Sequence, residues 1–277
     1  MTVGVEDVTV RYGEVTALDC VSLVAESGQV SAIVGGDGAG KSTLLKTLVG
    51  RVTPDSGRVV APGADRIGYQ PARGGSWPDL TVAENMAFVA GMYGLSEAGA
   101  ARRTDALLER AGLAQARDRL SSQLSGGMRT KLEFCLAMVH EPELLVLDEP
   151  STGVDPVSRV ELWRLLSETA ASGTAVLMAT TYMEEGERSS YVTVLEKGRI
   201  LLEGPPAEVV AASPGVVFTT EKPTRPEFSW RHADGFREWW PVPPPDANHP
   251  VDVDLEDVTI VAVLRGEAEP APQGGSQ

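Results

Sequence analysis

The sequence predicts an α/β fold built on a doubly wound, mainly parallel β-sheet, with an antiparallel β subdomain, a helical insert and a small C-terminal appendage. Three observations predict it. A glycine-rich loop joins the apolar run Val30–Val34 to a helical pattern over residues 42–48. A second apolar run, residues 143–147, ends in two acidic residues, and a third covers residues 174–180. Apolar strands that alternate with helices are typical of parallel sheets, whose ligands bind at the carboxyl ends of the strands.

The N-terminal part of the chain predicts a half-buried sheet. Residues 3–11 and Val15–Glu26 alternate apolar and polar side chains, which is typical of strands with one solvated face. Further β-structure is predicted at residues 57–61, at residues 66–70 and in a hairpin over residues 191–202.

A helical insert is predicted between the two halves of the central sheet, over about residues 72–140. Ser96 and Ser125 stand where capping hydroxyls are expected at helix N-termini. Leu107, Leu108 and Ala111 have the spacing of one buried helical face. The predicted helices cover residues 81–93, 96–111, 125–140 and, after the insert, 155–171.

The loop after the first central strand is the strongest indication of chemistry. It consists of Gly35-Gly36-Asp37-Gly38-Ala39-Gly40-Lys41-Ser42-Thr43, which fits the phosphate-binding pattern of a glycine, four free positions and Gly-Lys-Ser/Thr. Gly38 and Gly40 allow the backbone to point successive N–H groups at one anion. Lys41 is expected to reach the β- and γ-phosphates of ATP, and the Ser42 hydroxyl to hold Mg²⁺. The strand before the loop and the helix after it argue against a chance glycine-rich turn.

The second central strand predicts the acidic half of the same site. It ends at Asp148-Glu149-Pro150. An acid at the end of such a strand accompanies a phosphate loop and is aimed at Mg²⁺, which makes Asp148 a metal candidate. A second acid directly after it can orient an attacking water, which makes Glu149 the catalytic candidate. The alternative for Glu149 is a surface acid, and its position at the strand end argues against that.

Composition limits the partners. The 277 residues carry a formal net charge of −15, which does not suit nucleic acid or anionic lipid as a general partner. Met1 leads directly into strand-like sequence, and no apolar run is long enough to cross a bilayer, so a cytoplasmic location is expected and another subunit would have to supply any membrane span. Cys20 and Cys135 lie far apart in apolar patterns and are predicted to be reduced core residues.

The composition changes after about residue 215. Three of the five tryptophans, Trp230, Trp239 and Trp240, lie in this part of the chain. They are predicted to form the small core of an appendage over residues 213–265 rather than a ligand-stacking surface. Residues 251–265 are expected to pack back as a strand or a helix, and residues 266–277 to be disordered.

Together these motifs resemble the ATP-binding subunit of ATP-binding-cassette (ABC) transporters, over about residues 1–212. The most specific of them is Leu124-Ser125-Gly126-Gly127-Met128, just before a helix, which is similar to the signature motif of that family. Residues 151–155 resemble its D-loop. Met128 and Leu255-Glu256-Asp257-Val258 are similar to drug- and antibiotic-exporter ATPases.

The resemblance implies a P-loop NTPase core in which two cassettes stack head to tail around two ATP molecules. Ser125, Gly126 and Gly127 would then bind the ATP of the partner, because a Ser-Gly-Gly at a helix N-terminus offers hydroxyl, amides and dipole to a γ-phosphate. Tyr12, by itself typical of a strand-end aromatic, falls where the family stacks adenine.

The family also implies transmembrane permease subunits as partners and a location on the cytoplasmic face of the cell membrane. Relatives that act on ribosomes or DNA carry two cassettes or long coiled coils. This sequence has one cassette and no such insertion, so no nucleic-acid partner is expected.

Two positions depart from the family pattern. The Q-loop glutamine is replaced by Ala72, and Gln70 lies two residues early, which displaces a strand side chain by about 6–7 Å. The switch histidine is replaced by Thr181, which is shorter and never cationic. ATP binding is therefore expected to be intact, with hydrolysis weakened at the chain's own half-site.

Because the signature is undamaged, a heterodimer with a complete second ATPase is favoured over a homodimer. The alternative function is a catalytically weak regulatory half beside such a partner.

Overall fold

The computed structural model of the chain describes residues 2–233, 235–244 and 250–268. In chain order the strands are β1 (Thr2–Tyr12), β2 (Val15–Glu26), β3 (Val30–Val34), β4 (Ser56–Val60), β5 (Ile67–Gln70), β6 (Leu144–Asp148), β7 (Ala175–Thr180), β8 (Tyr191–Glu196), β9 (Arg199–Gly204), β10 (Val216–Thr220), β11 (Ser229–His232) and β12 (Gly235–Trp240). The helices are α1 (Lys41–Leu48), α2 (Val82–Met92), α3 (Glu97–Arg110), α4 (Gly126–Met138), α5 (Pro156–Ala171), α6 (Met183–Arg188), α7 (Pro206–Ala211) and α8 (Leu255–Ala268).

The centre of the fold is a mixed sheet with strand order β5-β6-β7-β3-β8-β9. The strands from β5 to β8 are parallel, and β9 joins β8 antiparallel. β3, β6 and β7 are buried along their whole length, which explains their continuous apolar sequences. Val34 pairs with Thr180, and Asp148 with its neighbour Ala179, so the predicted phosphate loop and acids lie at the same sheet edge. The predicted mainly parallel sheet is confirmed.

The predicted antiparallel subdomain is the sheet β2-β1-β4. Its inner face covers α1, because Leu44, Leu45 and Leu48 lie in one buried cluster with Val5 and Leu18. The helix of the phosphate loop is therefore enclosed between two sheets.

The prediction that both cysteines are core residues is half wrong. Cys135 is buried, and this burial raises the pKa of its thiol to about 12. Cys20 is exposed. The β1–β2 register shifts between Val8 and Val10, and Cys20 has φ 53, so a bulge turns it out of the alternating pattern.

The helical insert consists of α2, α3 and α4. The predicted N-caps are confirmed, since the Ser96 and Ser125 hydroxyls accept hydrogen bonds from the amides of Gly99 and Met128. Thr81 and Glu84 form a capping box at the start of α2. Within the described parts of the chain, no helix is long and apolar enough to cross a membrane.

The C-terminal appendage is a small sheet of order β10-β12-β11 with α8 against it. Trp239 is buried with Val217 and Val261, and Trp230 packs on them, as predicted for the tryptophan core. Trp240 lies outside this cluster, with the Arg225 guanidinium over its ring. Residues 251–265 are expected to form a strand or a helix, and most of them lie in the helix α8. This helix also reaches the main core through Leu255. Residues 266–268 continue α8, contrary to the expected disorder, and residues 269–277 lie outside the described residues. The domain boundaries stay predictions.

One packing contact is tight enough to test the fold directly. A Cβ on Gly68 in β5 would lie 2.1 Å from the Ala137 carbonyl oxygen of α4. We expect Gly68→Ala to lower the free energy of unfolding by about 1–3 kcal/mol, because β5 and α4 must separate. Gly91 in α2 is the matched control, since a Cβ there meets nothing within 4 Å. Gly91→Ala should raise the free energy of unfolding by about 0.5–1 kcal/mol. Equal unfolding midpoints in urea for the two variants would contradict this packing.

Candidate nucleotide-binding site

The glycine-rich loop has the backbone that the sequence predicts. Gly38 and Gly40 have φ of 80° and 107°, a region that L side chains rarely adopt. A Cβ on Gly38 or Gly36 would meet nothing within 4 Å, whereas one on Gly40 would lie 2.6 Å from the Ala17 carbonyl oxygen. Gly36 and Gly38 therefore face open space, and Gly40 permits close packing on β2.

The remaining loop residues differ in exposure. Asp37 is exposed, while the side chain of Ala39 is buried in the cluster around α1. A Cβ on Gly35 would lie 2.3 Å from the Leu195 carbonyl oxygen. Thr43 is half-buried in the first turn of α1. Ala39 and Gly35 thus contribute by shaping the loop, with only backbone groups free to meet a ligand.

Lys41 is the buried cation of the site, with 5% of its surface exposed. Its Nζ donates to the carbonyl oxygens of Gly35 at 2.7 Å and Gly36 at 3.1 Å. It also lies 3.3 Å from Glu149 Oε1. The ammonium is therefore held at the mouth of the loop, where an anion can replace the carboxylate as its partner.

Ser42 and Asp148 meet as predicted. Ser42 Oγ donates to Asp148 Oδ1 at 2.9 Å, and Asp148 is almost fully buried. Burial raises the pKa of this carboxyl, and the hydrogen bond from Ser42 lowers it in part. A hydroxyl and a carboxylate oxygen at one point form a donor set that fits Mg²⁺. These two residues would hold the ion, which would supply positive charge to phosphate oxygens.

Glu149 is held at the edge of the sheet by its backbone. Its φ is 53°, a conformation that costs a residue with a side chain about 1–3 kcal/mol. Its N–H donates to the Ala179 carbonyl oxygen at 2.9 Å, and Thr152 Oγ1 donates to its Oε2 at 2.9 Å. The carboxylate is thereby aimed at the loop and stays partly exposed.

The predicted signature residues lie at the N-terminus of α4. Ser125 and Gly126 are exposed. A Cβ on Gly127 would lie 2.2 Å from Ser158 Oγ, which ties α4 closely to α5. Gly126 lines a cleft of about 390 Å³ together with Glu149, and no residue of the phosphate loop lines it. Tyr12 is about half exposed at the end of β1. The chain thus brings Lys41, Ser42, Asp148 and Glu149 together. Gly126 of the signature shares a cleft with Glu149, and Tyr12 lies exposed at the end of β1.

The two departures from the family pattern are visible in the structure. Ala72 lines the cleft beside Glu149. Gln70 is buried, and its Nε2 donates to Glu133 Oε2 on α4 at 3.5 Å, so its amide is directed to the helical insert. Burial raises the pKa of the Glu133 carboxyl. Thr181 follows the end of β7 and is half-buried.

Sequence reasoning missed one buried acid near these residues. Glu185 in α6 accepts hydrogen bonds from Ser151 and Thr180. A helix as short as α6 has no periodicity that a sequence pattern could reveal, and Glu185 stands in a run of ordinary acidic residues.

The loop, the strand-end acids and the parallel sheet define a P-loop nucleotide-binding protein. The sequence model described as ABC transporter matches residues 18–152. The Nod factor export ATP-binding protein I of Ralstonia nicotianae is 37% identical over 217 residues, which cover 74% of this chain and 68% of that protein. The chain belongs to the ABC transporter ATP-binding family, and an ABC ATP-binding domain implies ATPase activity.

Further comparisons also match ATP-binding proteins of ABC transporters. The probable multidrug ABC transporter ATP-binding protein YbhF of Escherichia coli is 37% identical over 219 residues, 76% of this chain, and the chain spans 37% of its length. A solved ATP binding subunit of an ABC transporter has a TM-score of 0.69 at 28% identity, with 76% of this chain and 92% of that chain covered. CbiO1 from Clostridium perfringens, described as part of the transporter complex CbiONQ, has a TM-score of 0.69 at 29% identity, with 76% and 90% covered.

The position of Lys41 generates a test. We expect Lys41→Ala to abolish Mg-ATP binding, measured by calorimetry, because the variant loses the buried cation at the loop. Lys222→Ala, which removes an exposed lysine of the appendage, should bind ATP as the parent does. Parent-like affinity in Lys41→Ala would show that ATP binds elsewhere.

Proposed function

We propose that this chain is the energising ATP-binding subunit of an ABC exporter and couples ATP binding and hydrolysis to membrane subunits. The observation that carries the proposal is the meeting of Lys41, Ser42, Asp148 and Glu149 beside an open glycine loop. Export is supported by relatives that are named for multidrug and Nod factor export.

In the proposed complex the triphosphate lies on the loop backbone from Gly35 to Thr43, and Tyr12 stacks on adenine. Lys41 exchanges the Glu149 carboxylate for a phosphate oxygen, because both bind the same ammonium. Glu149, once released from Lys41, accepts a hydrogen bond from the attacking water. ATP binding and the release of Glu149 to act as the general base thus occur together in this site.

A permease subunit is the proposed partner of an exposed apolar patch on the helical insert. Trp77, Phe88, Met92 and Tyr93 are 41%, 47%, 70% and 39% exposed. The rings of Trp77 and Phe88 meet edge to face with centroids 4.7 Å apart. Large apolar side chains that are exposed near one another on a folded protein mark an interaction surface. We assign it to an apolar cytoplasmic segment of the permease, which would hold the chain at the membrane face.

The chain's own half-site is proposed to hydrolyse ATP slowly. Ala72 has no group that can bind water or Mg²⁺, and the Gln70 amide is directed to Glu133. Thr181 has no imidazole to offer a γ-phosphate. Removal of one such polar helper typically costs about 10²–10³ in rate.

A second, complete ATPase is the proposed partner cassette. Ser125 and Gly126 are exposed at the N-terminus of α4, and Gly126 lines a cleft that no residue of this chain's own phosphate loop lines. A heterodimer would give that signature a complete opposing site, whereas a homodimer would repeat Ala72 and Thr181 in both sites. The second candidate function, a regulatory half that binds ATP and hardly hydrolyses it, rests on the same two residues.

The first test restores the missing groups. The isolated chain should hydrolyse ATP poorly, and Ala72→Gln combined with Thr181→His should raise kcat by about tenfold or more, since each replaces a transition-state contact. Adding Glu149→Gln to the double variant is the control and should remove the gain. A parent chain that already turns over as fast as the double variant would refute the weak half-site.

The second test examines asymmetry in the reconstituted complex. Ser125→Arg should stop ATP turnover, because the long side chain occupies the space of the γ-phosphate in the complete site. Glu149→Gln in this chain should have a much milder effect, because it alters the weak site. The reverse ranking of the two variants, or full activity from a pure homodimer, would rule out the asymmetric arrangement.

A further inference from the structure

Glu185 is a buried carboxylate surrounded by hydrogen-bond donors. It is 1% exposed. Its Oε2 accepts from Thr180 Oγ1 at 2.6 Å and from Ser151 Oγ at 2.8 Å, and its Oε1 accepts from Trp163 Nε1 at 3.4 Å. A carboxylate is removed from water only where such donors replace its hydration. The three donors therefore fix where Glu185 lies, and Glu185 fixes them in return.

Two of the three donors come from segments next to the catalytic candidate. Ser151 is two residues after Glu149, and Thr180 is the last residue of β7, next to the strand partner of Asp148. Thr180 Oγ1 also accepts from the Tyr182 N–H at 3.1 Å, which orders the turn through Thr181. One carboxylate thus joins the turn after β6 to the end of β7.

The C-terminal helix α8 packs against α6, the helix that carries this carboxylate. Leu255, the first residue of α8, is fully buried, and its N–H donates to Glu187 Oε1 in α6 at 2.9 Å. A Cβ on Gly186 would lie 2.9 Å from Leu255 Cδ2. α6 therefore cannot move toward α8 without a steric clash. The position of Glu185 in α6 thus depends on the position of α8.

We propose that Glu185 is a positioning residue for Glu149 and that α8 holds it in place. The proposal rests on the ATPase function proposed above. Glu149 keeps a backbone conformation that is unfavourable for a residue with a side chain, so the turn that follows it has to be held by outside contacts. Ser151 and Glu185 provide that contact, and a shift of α8 changes hydrolysis without touching the nucleotide.

The experiment compares Glu185→Gln with its exposed neighbour variant Glu184→Gln in the full chain. Glu185→Gln should lower kcat by about ten- to a hundredfold, the usual effect of a displaced catalytic group, while the Kd for Mg-ATP stays at the parent value. Ser151→Ala and Leu255→Ala should lower kcat in the same way. Glu184→Gln should leave both quantities unchanged, since Glu184 is exposed.

A second readout does not depend on turnover. Amide hydrogen exchange over residues 149–155 should be faster in Glu185→Gln, Ser151→Ala and Leu255→Ala than in the parent, with exchange in Val82–Met92 unchanged as evidence that the fold is intact. If Glu185→Gln does not fold, Ser151→Ala decides the question, because it removes one hydroxyl.

The two proposals fail in different ways. A parent chain without Lys41-dependent turnover would refute the ATPase function, and the exchange rates would still test the positioning role. Parent-like exchange over residues 149–155 in both Glu185→Gln and Ser151→Ala would overturn the positioning role of Glu185. A fall in Mg-ATP affinity equal to the fall in kcat would also overturn it, because the whole site would then have been disturbed.

Discussion

The charge of Lys41 is the constraint on which the site depends. A buried ammonium is costly unless it is compensated, and here two loop carbonyls and the Glu149 carboxylate compensate it. The loop and the acid come from strands far apart in sequence, so a parallel sheet has to bring β3 and β6 to the same edge. The glycines of the loop follow from the same need, because only a backbone with positive φ turns its groups toward one point. If a phosphate replaces Glu149 beside Lys41, as proposed, ATP binding would also set the position of the general base.

Much of this arrangement is predictable from sequence because it depends on local patterns. Continuous apolar runs locate β3, β6 and β7 within about one residue, and the loop motif locates Lys41 and Ser42. Contacts between distant segments are not predictable in this way. The bulge that exposes Cys20, the pairing of Gln70 with Glu133 and the burial of Glu185 all result from packing that no periodicity records. The roles of Tyr12 and of the signature stay predictions, since they involve a nucleotide and a second chain.

In the proposed function, ATP binding and ATP hydrolysis depend on different residues. The loop, Lys41, Ser42 and Asp148 would bind the triphosphate in its ground state. Ala72 and Thr181 occupy positions where the family places groups that assist the reaction, so their effect falls on the rate. Glu185 has a third, positioning role in this proposal. It holds the turn that follows Glu149, and α8 packs against the helix that carries it. The C-terminal helix thereby joins the appendage to the catalytic edge of the main sheet.

The weak half-site proposed for this chain means that the chain binds ATP and leaves it largely intact. The most direct measurement is the chemical identity of the bound nucleotide after the purified chain has been incubated with Mg-ATP and separated rapidly from free nucleotide. We expect ATP to be the main bound species, at close to one molecule per chain. Recovery of ADP as the main species would contradict slow hydrolysis, and recovery of no nucleotide would contradict the site itself.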